Sequence, residues 1–491
     1  MKTYRPYSPE QIYLLPPSPR EWLPEGHLVF FILGLLDGLD LGEIESAVQA
    51  KDARGERPFA PTMMTSLLLY AYATGVYSSR GIERACVEDV AFRILAAGEQ
   101  PHFTTINRFR AAHLEALGGL FVQVLEACQS EGLVELGHVA IDGTKMKANA
   151  SKHKAMSYDR MQKDSARLRS EVQAWFDKAD AIDAAEDAAE GVPDPAEEAR
   201  LRQERLAKME RVKEELRKET QAARAKRLRE QAEELRKKSE DVNRSATKRA
   251  EAKTLAKKRD NQASLFDDDD QGPPPAVDAD LPKNTPPHHP DGTPKPKAQR
   301  NFTDPDSRIM MRDGAFLQAY NAQIAVDEDH QIIVAAALSN QGPDTEYFAP
   351  MLRRVVENCD AVPERVTADA GYFSADNVHI AEHHGCEPFI AVGGHRRDGL
   401  PDDESSLPNS RTETGRAMRA RLETARGHAA YARRKATVEP VIGQIRTRGF
   451  QHVSFRGLIK NRLEWLFVCT THNILKLWRA RSGSSLQLAA G

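Results

Sequence analysis

Two short apolar runs, each closed by a lone carboxylate, constrain this chain most. His138-Val139-Ala140-Ile141 ends in Asp142, within Asp142-Gly143-Thr144, and Arg365-Val366-Thr367-Ala368 ends in Asp369, within Asp369-Ala370-Gly371-Tyr372. Both runs are too short for helices. Each therefore reads as a buried strand carrying its acid at the downstream end. A chain built on such strands is expected to be α/β, with a mixed sheet covered by helices.

The rest of the chain divides around those strands. Residues 1–131 read as an all-helical domain, with a helix opening at Pro61, a second over Ser79 to Asp89 and a third over Thr104 to Leu125. Helix, short turn and a helix starting with Thr104, Thr105, Asn107, Arg108 and Arg110 resemble a helix-turn-helix DNA reader. Residues 132–156 and 301–480 form the sheet domain. In it Phe316 to Val326 and Gln331 to Leu338 pair as a hairpin, Asp344 to Asn358 is helical, Ser374 caps a helix reaching His384, and Pro388 to Val392 is a further strand. Residues 157–260 interrupt this domain; they are rich in Ala, Glu, Lys and Arg, and Leu201, Leu206, Met209, Val212 and Leu216 fall at coiled-coil-like spacing. Gly191 to Pro195 breaks that stretch, which suggests a helical hairpin acting as a spacer, a dimerisation element or a DNA-grasping arm. Residues 261–300, with Pro273-Pro274-Pro275 and Pro286-Pro287, read as disordered linker.

The near-neutral net charge of −3 hides a strong local bias. Between Arg411 and Arg462 there are 13 Lys/Arg against three acids, Glu413, Glu423 and Glu439. A basic block of that kind points to a polyanionic partner. The five cysteines are scattered without a CxxC pair, which fits a reducing compartment and not a disulfide framework. The apolar run Leu28 to Leu36 is too short to span a bilayer and reads as a buried helix.

Within the basic block, Tyr431-Ala432-Arg433-Arg434-Lys435-Ala436-Thr437-Val438-Glu439 places a third acid on a helix. Lys435 and Glu439 share one face, as do Glu439 and Arg446 two turns on. Phosphodiester cleavage by water needs an activated nucleophile and a stabilised leaving oxygen, and two Mg²⁺ ions roughly 4 Å apart provide both. Mg²⁺ takes oxygen ligands and keeps its waters, so a few carboxylates suffice. Asp142 would bridge the two ions, with Asp369 and Glu439 completing one each. Lys145, Lys147, Tyr431, Arg434, Lys435 and Arg446 would meet DNA, the cations on phosphate and Tyr431 on a base or phosphate. Gly371 would let the backbone turn beside the ions.

Taken together, these motifs resemble bacterial insertion-sequence transposases of the DDE type, in the branch with a Tyr-Arg-Glu-Lys signature. The segments that carry the resemblance are Ile141-Asp142-Gly143-Thr144, Asp369-Ala370-Gly371-Tyr372, Tyr431 with Arg434 (or Lys435), Glu439 and Arg446, Asp304-Pro305-Asp306-Ser307-Arg308 and Tyr320-Asn321-Ala322-Gln323. Here Arg446 stands where the signature has Lys, and four residues separate Arg434 from Glu439 where the signature has three. The resemblance implies an RNase H-like mixed sheet flanked by helices. It implies Mg²⁺, replaceable by Mn²⁺, at Asp142, Asp369 and Glu439. It also implies cleavage at transposon ends, transfer of the 3′-OH into target DNA, a homodimer on the terminal inverted repeats, and a bacterial cytoplasmic, nucleoid-associated location. A nuclease on the same fold and a non-catalytic DNA-binding scaffold are the alternatives. Asp313, Asp327, Asp329 and Asp344 read as turn and loop acids, and Trp465, Phe467 and Trp478 as core.

Overall fold

The computed structural model of the chain describes residues 18–50, 57–151, 154–183, 195–241, 244–264, 266, 280–393 and 412–489. Before the first strand come α1 (Leu28–Leu36), α2 (Gly42–Gln49), α3 (Pro61–Thr74), α4 (Ser79–Glu88), α5 (Val90–Leu95), α6 (Phe103–Ala112) and α7 (Leu114–Ser130). Helix α3 opens on Pro61, which needs no N–H partner at that position. It stops at Gly75, whose φ of +88° and close approach to the Arg448 carbonyl leave no room for a Cβ. The single helix expected over Thr104 to Leu125 is broken at His113, where α6 and α7 meet at a 69° bend. Arg110, read above as part of a DNA-reading face, is buried. Its Nη1 donates to the Tyr72 hydroxyl and the Tyr77 carbonyl, each at 2.9 Å, so it ties α6 to the core. No single helix among the described residues is long and apolar enough to cross a membrane.

The sheet is mixed, as the apolar runs predict. Its strands are β1 (Val139–Lys147), β4 (Arg308–Arg312), β5 (Ala315–Asp327), β6 (Ile333–Ser339), β7 (Arg365–Ala368) and β8 (Glu387–Ile390), in the order β4-β5-β1-β7-β8 with β6 also on β5. A separate two-stranded ribbon pairs β2 (Ala155–Ser157) with β3 (Gln299–Asn301). Strand β1 runs antiparallel to β5 and parallel to β7. Asp142 is thus not at the end of its strand, because β1 continues to Lys147 against β5. It stands instead where the pairing with β7 ends, since Ile141↔Ala368 is the last parallel pair.

Helices cover the sheet. α11 (Phe348–Cys359) packs on β5 and β6, α12 (Ala375–His383) and α13 (Glu413–Glu423) on β8, α14 (Ala425–Thr447) across β1, β5, β7 and β8, and α15 (Leu458–Ala489) along β6. Trp465 and Phe467 of α15 are fully buried, as expected, and each such side chain stabilises the fold by roughly 1.5–3 kcal/mol. All five cysteines are buried and unpaired.

Among the described residues the insertion holds three helices where a hairpin of two was expected: α8 (Tyr158–Asp183), α9 (Pro195–Glu240) and α10 (Ala246–Ser264). Of the break expected over Gly191 to Pro195, residues 191–194 lie outside the described residues and Pro195 opens α9. Met161 and Leu168 of α8 meet Met209 and Val212 of α9 in a small core of their own. Ala252, Ala256 and Ala263 are the buried residues of α10, small enough to let it lie close on α9. Glu219 of α9 anchors the insertion to the sheet domain through ion pairs with Arg300 and Arg308, both buried. Part of the linker expected over 261–300 is structured. α10 runs to Ser264, Leu281 and Ala298 are buried, and Arg353 and Arg354 pair with Asp280. Specific burial and pairing there override a composition that reads as disorder.

Candidate active site

The parallel register carries the geometry. Asp142 and Asp369 each follow the last residue of the parallel β1–β7 pairing, so their carboxylates stand side by side where that pairing ends. Helix α14 lies over them. Its buried Arg434 donates Nη1 to Asp142 Oδ2 at 2.9 Å, and its guanidinium stands 5.5 Å from the Tyr431 ring centroid one turn earlier. The Gly143 N–H donates to Asp142 Oδ1 at 2.7 Å, and the Gly371 N–H donates to Asp369 Oδ1 at 2.8 Å.

Burial pushes the Asp142 carboxyl up to about 6, and the neighbouring Asp369 charge adds to this, while Arg434 and the Gly143 N–H pull the other way. Desolvation opposes charge on Arg434, but Asp142 first, then Tyr431 and Asp369, hold it above the usual guanidinium value. Two carboxylates that repel one another, one of them needing a guanidinium to stay charged, suit a hard divalent cation, which is often held by one or two carboxylates and completes its shell with water. The Arg434 guanidinium already supplies positive charge to Asp142 from one side.

Glu439 sits differently. It is exposed on α14, and no hydrogen bond or ion pair reaches it among the described residues. No group of three His, Cys, Asp or Glu side chains stands ready for a metal ion among those residues. Yet α14 is fastened on both sides of it, by Arg434 to Asp142 and by Arg446 to the Thr144 hydroxyl. Pro440, next to Glu439, interrupts the helical ladder because it has no N–H and leaves the Ala436 carbonyl without its usual donor. The Gln331 side-chain amide donates to that carbonyl at 3.0 Å, while its oxygen accepts from Lys476 at 2.8 Å. The β5–β6 turn and α15 thus support the helix where it carries Glu439.

Of the residues expected on DNA, Lys147 and Lys435 are exposed, whereas Arg434 and Arg446 are engaged as above. Lys145 is occupied: it donates to the Gly342 carbonyl at 2.7 Å and pairs with Asp344 at 3.0 Å. Asp344 is therefore no free loop acid. It also accepts from Asn321 at 2.6 Å and Gln323 at 2.9 Å. The buried Tyr372 hydroxyl bonds Gln323, and it is held well above the ordinary phenol value by burial and then by the charges of Asp344, Asp142 and Asp369. Asn321 and Gln323 alternate along β5, so both face the same side, and both lie in the Tyr320 to Gln323 segment that carries the family resemblance.

One glycine is required by space and a second is crowded. A Cβ on Gly143 would collide with the Gln323 amide. One on Gly371 would stand 3.0 Å from Asp369 Oδ1 and 3.6 Å from the Asp344 Cβ. Gly371 has no left-handed φ; the 3-10 turn over Ala370–Tyr372 needs none, and a Cβ there would be crowded by the Asp369 carboxylate.

Residues 287–474 match the family described as Transposase DDE domain, and residues 17–112 match a second, described as Transposase domain (DUF772). The first match contains Asp369 and Glu439 and begins beyond the insertion, whereas β1 with Asp142 precedes the insertion. No curated protein and no solved structure matches the chain. With transposase domains matched on both sides of the insertion, this chain belongs to the insertion-sequence DDE transposases.

Proposed function

We propose that the chain cleaves DNA at the ends of its element and joins the freed 3′-OH to target DNA, using one site built on Asp142, Asp369 and Glu439 in an RNase H-like domain. The observation that carries this is the β1–β7 register, which sets two acids side by side under a helix bearing Arg434, Glu439 and Arg446. Asp142 and Asp369 would hold divalent cations, Mg²⁺ or Mn²⁺, and Glu439 would turn in to complete the set. Bound there, the ions would neutralise phosphate oxygens and ease deprotonation of the attacking group.

The protein side chains supply placement and charge. Arg434 keeps Asp142 ionised and oriented. Arg446, Lys147 and Lys435 offer positive charge to the DNA backbone, and Tyr431 borders the acids beside Arg434. In the first reaction the oxygen of water bonds to phosphorus and the bond to the 3′ oxygen breaks, leaving a 3′-OH. In the second that 3′-OH bonds to a target phosphorus and displaces the target's own 3′ oxygen. Neither step forms a protein–DNA bond. Two ends have to be held for joining, so a homodimer on the terminal inverted repeats follows from the same scheme.

The test is nicking and strand transfer with end-bearing DNA in Mg²⁺ or Mn²⁺. Asp142→Ala, Asp369→Ala and Glu439→Ala should each abolish both reactions while DNA binding persists. Nicking that survives Asp369→Ala would remove that residue from the site. Nicking without joining in the unaltered protein would reduce the function to that of a nuclease.

A further inference from the structure

The two most exposed large apolar side chains among the described residues face each other across one hairpin. Phe316 is 67% exposed and Met311 62%, with Ile309 of the same hairpin at 44%. Met311 pairs directly with Phe316 between β4 and β5, so the two side chains lie on one face about 5 Å apart. The turn joining them is Asp313-Gly314, with φ of +52° and +75°, the left-handed pair of a tight two-residue hairpin. The apolar surface is therefore preformed, not a floppy loop.

Its position matters. Arg312 donates Nη1 to the Lys145 carbonyl at 3.0 Å, three residues beyond Asp142. In register terms Arg312 sits opposite Ala315 and Lys145 opposite Asn321, about 20 Å apart on a flat sheet. The long Arg312 side chain ties the hairpin back to β1. Arg312 also lies near Arg446. Burial first, then the Arg312 charge, disfavours the Arg446 cation, and Asp313 only partly offsets this. Arg312 has Asp313 at 3.6 Å, and the buried Nε of Arg446 has no hydrogen-bond partner among the described residues.

We propose that this hairpin contacts DNA: Phe316 and Met311 stack on a base released from pairing beside the Asp142–Asp369 site, and Arg312 and Arg446 hold the adjoining phosphate. Aromatic stacking flanked by cations is how proteins hold unpaired bases regardless of sequence. A second copy of the same hairpin would bring four arginines together, so the charge pattern favours a phosphate-bearing partner over self-association. The inference rests on the DNA-acting reading given above.

The full-length protein would be titrated with a duplex carrying a single-stranded tail that contains 2-aminopurine, at two salt concentrations. Phe316→Ala with Met311→Ala should weaken tail binding about tenfold and abolish the change in 2-aminopurine fluorescence, leaving the circular dichroism spectrum and affinity for blunt duplex unaltered. Phe316→Trp should retain the signal, and Arg312→Ala should flatten the salt dependence. Equal tail binding and fluorescence in the double variant would overturn the proposal. So would a variant that loses only dimerisation in sedimentation, since the hairpin would then join two copies. An unaltered protein that binds neither DNA would instead sink the functional reading itself.

Discussion

Asp142→Asn should make the protein more stable while removing its chemistry. The carboxyl rises from an ordinary 3.8 to about 6 on folding, chiefly because its charged form is buried. At about 1.36 kcal/mol per pKa unit this corresponds to about 3 kcal/mol. The side chain is 16% exposed, so solvent screening is modest and a gain of about 1.5–3 kcal/mol is expected for the neutral isostere. The sign follows from a folded value above the unfolded one: the native-state advantage is present below about pH 4 and lost as pH climbs through about 6. The two proteins should therefore denature alike near pH 4, diverge up to about pH 6.5 and run parallel above it. Asp327, also pushed by burial to about 6, titrates in both proteins and cancels in the comparison. Urea midpoints at stepped pH, with fixed m-values, measure the gap. Adding Mn²⁺ should stabilise the unaltered protein by about 2.7 kcal/mol at a hundredfold excess over its Kd and leave the Asn variant unmoved. A variant no more stable than its parent at pH 7.5 would refute the idea that the folded site strains this carboxylate. A Mn²⁺ response shared by both proteins would place the ion elsewhere.

Arg434→Gln withdraws the charge that lowers the Asp142 carboxyl, so the acid limb of the cleavage pH profile should move to higher pH; an unmoved limb would separate Arg434 from that titration. Gln331→Ala removes the donor that caps the Ala436 carbonyl freed by Pro440. Because water can partly replace it, stability should fall by only about 1 kcal/mol, while kcat drops and DNA affinity holds if the cap positions Glu439. Glu219→Ala leaves Arg300 and Arg308 without their shared carboxylate and should cost about 3–5 kcal/mol, with faster proteolysis within 195–264 as the readout.

Much of the sheet was legible in the chain because buried strands reveal themselves by composition. The runs ending at Asp142 and Asp369, the hairpin around Asp327 to Gln331 and the Ser374 cap each depend on residues a few positions apart. The acids themselves were legible for the same reason, as lone charges interrupting apolar sequence. Misreadings arose where distant contacts decide. Thr104 to Leu125 is helical throughout by local preference, yet packing bends it at His113. Arg110 has the chemistry of a DNA contact, but Tyr72 and Tyr77 claim it.

Local sequence, then, determined which segments are strands and helices and which residues carry charge, because those properties reside in the residues themselves. Only the tertiary structure decided the company they keep. Pairing β1 with β7 in parallel put Asp142 beside Asp369 across more than 200 residues of chain, and packing α14 over them gave Asp142 its arginine. Likewise Lys145 was drawn from phosphate to Asp344, and Phe316 with Met311 was left facing solvent. A side chain's chemistry is local, but its charge state and availability are set by neighbours that only folding supplies.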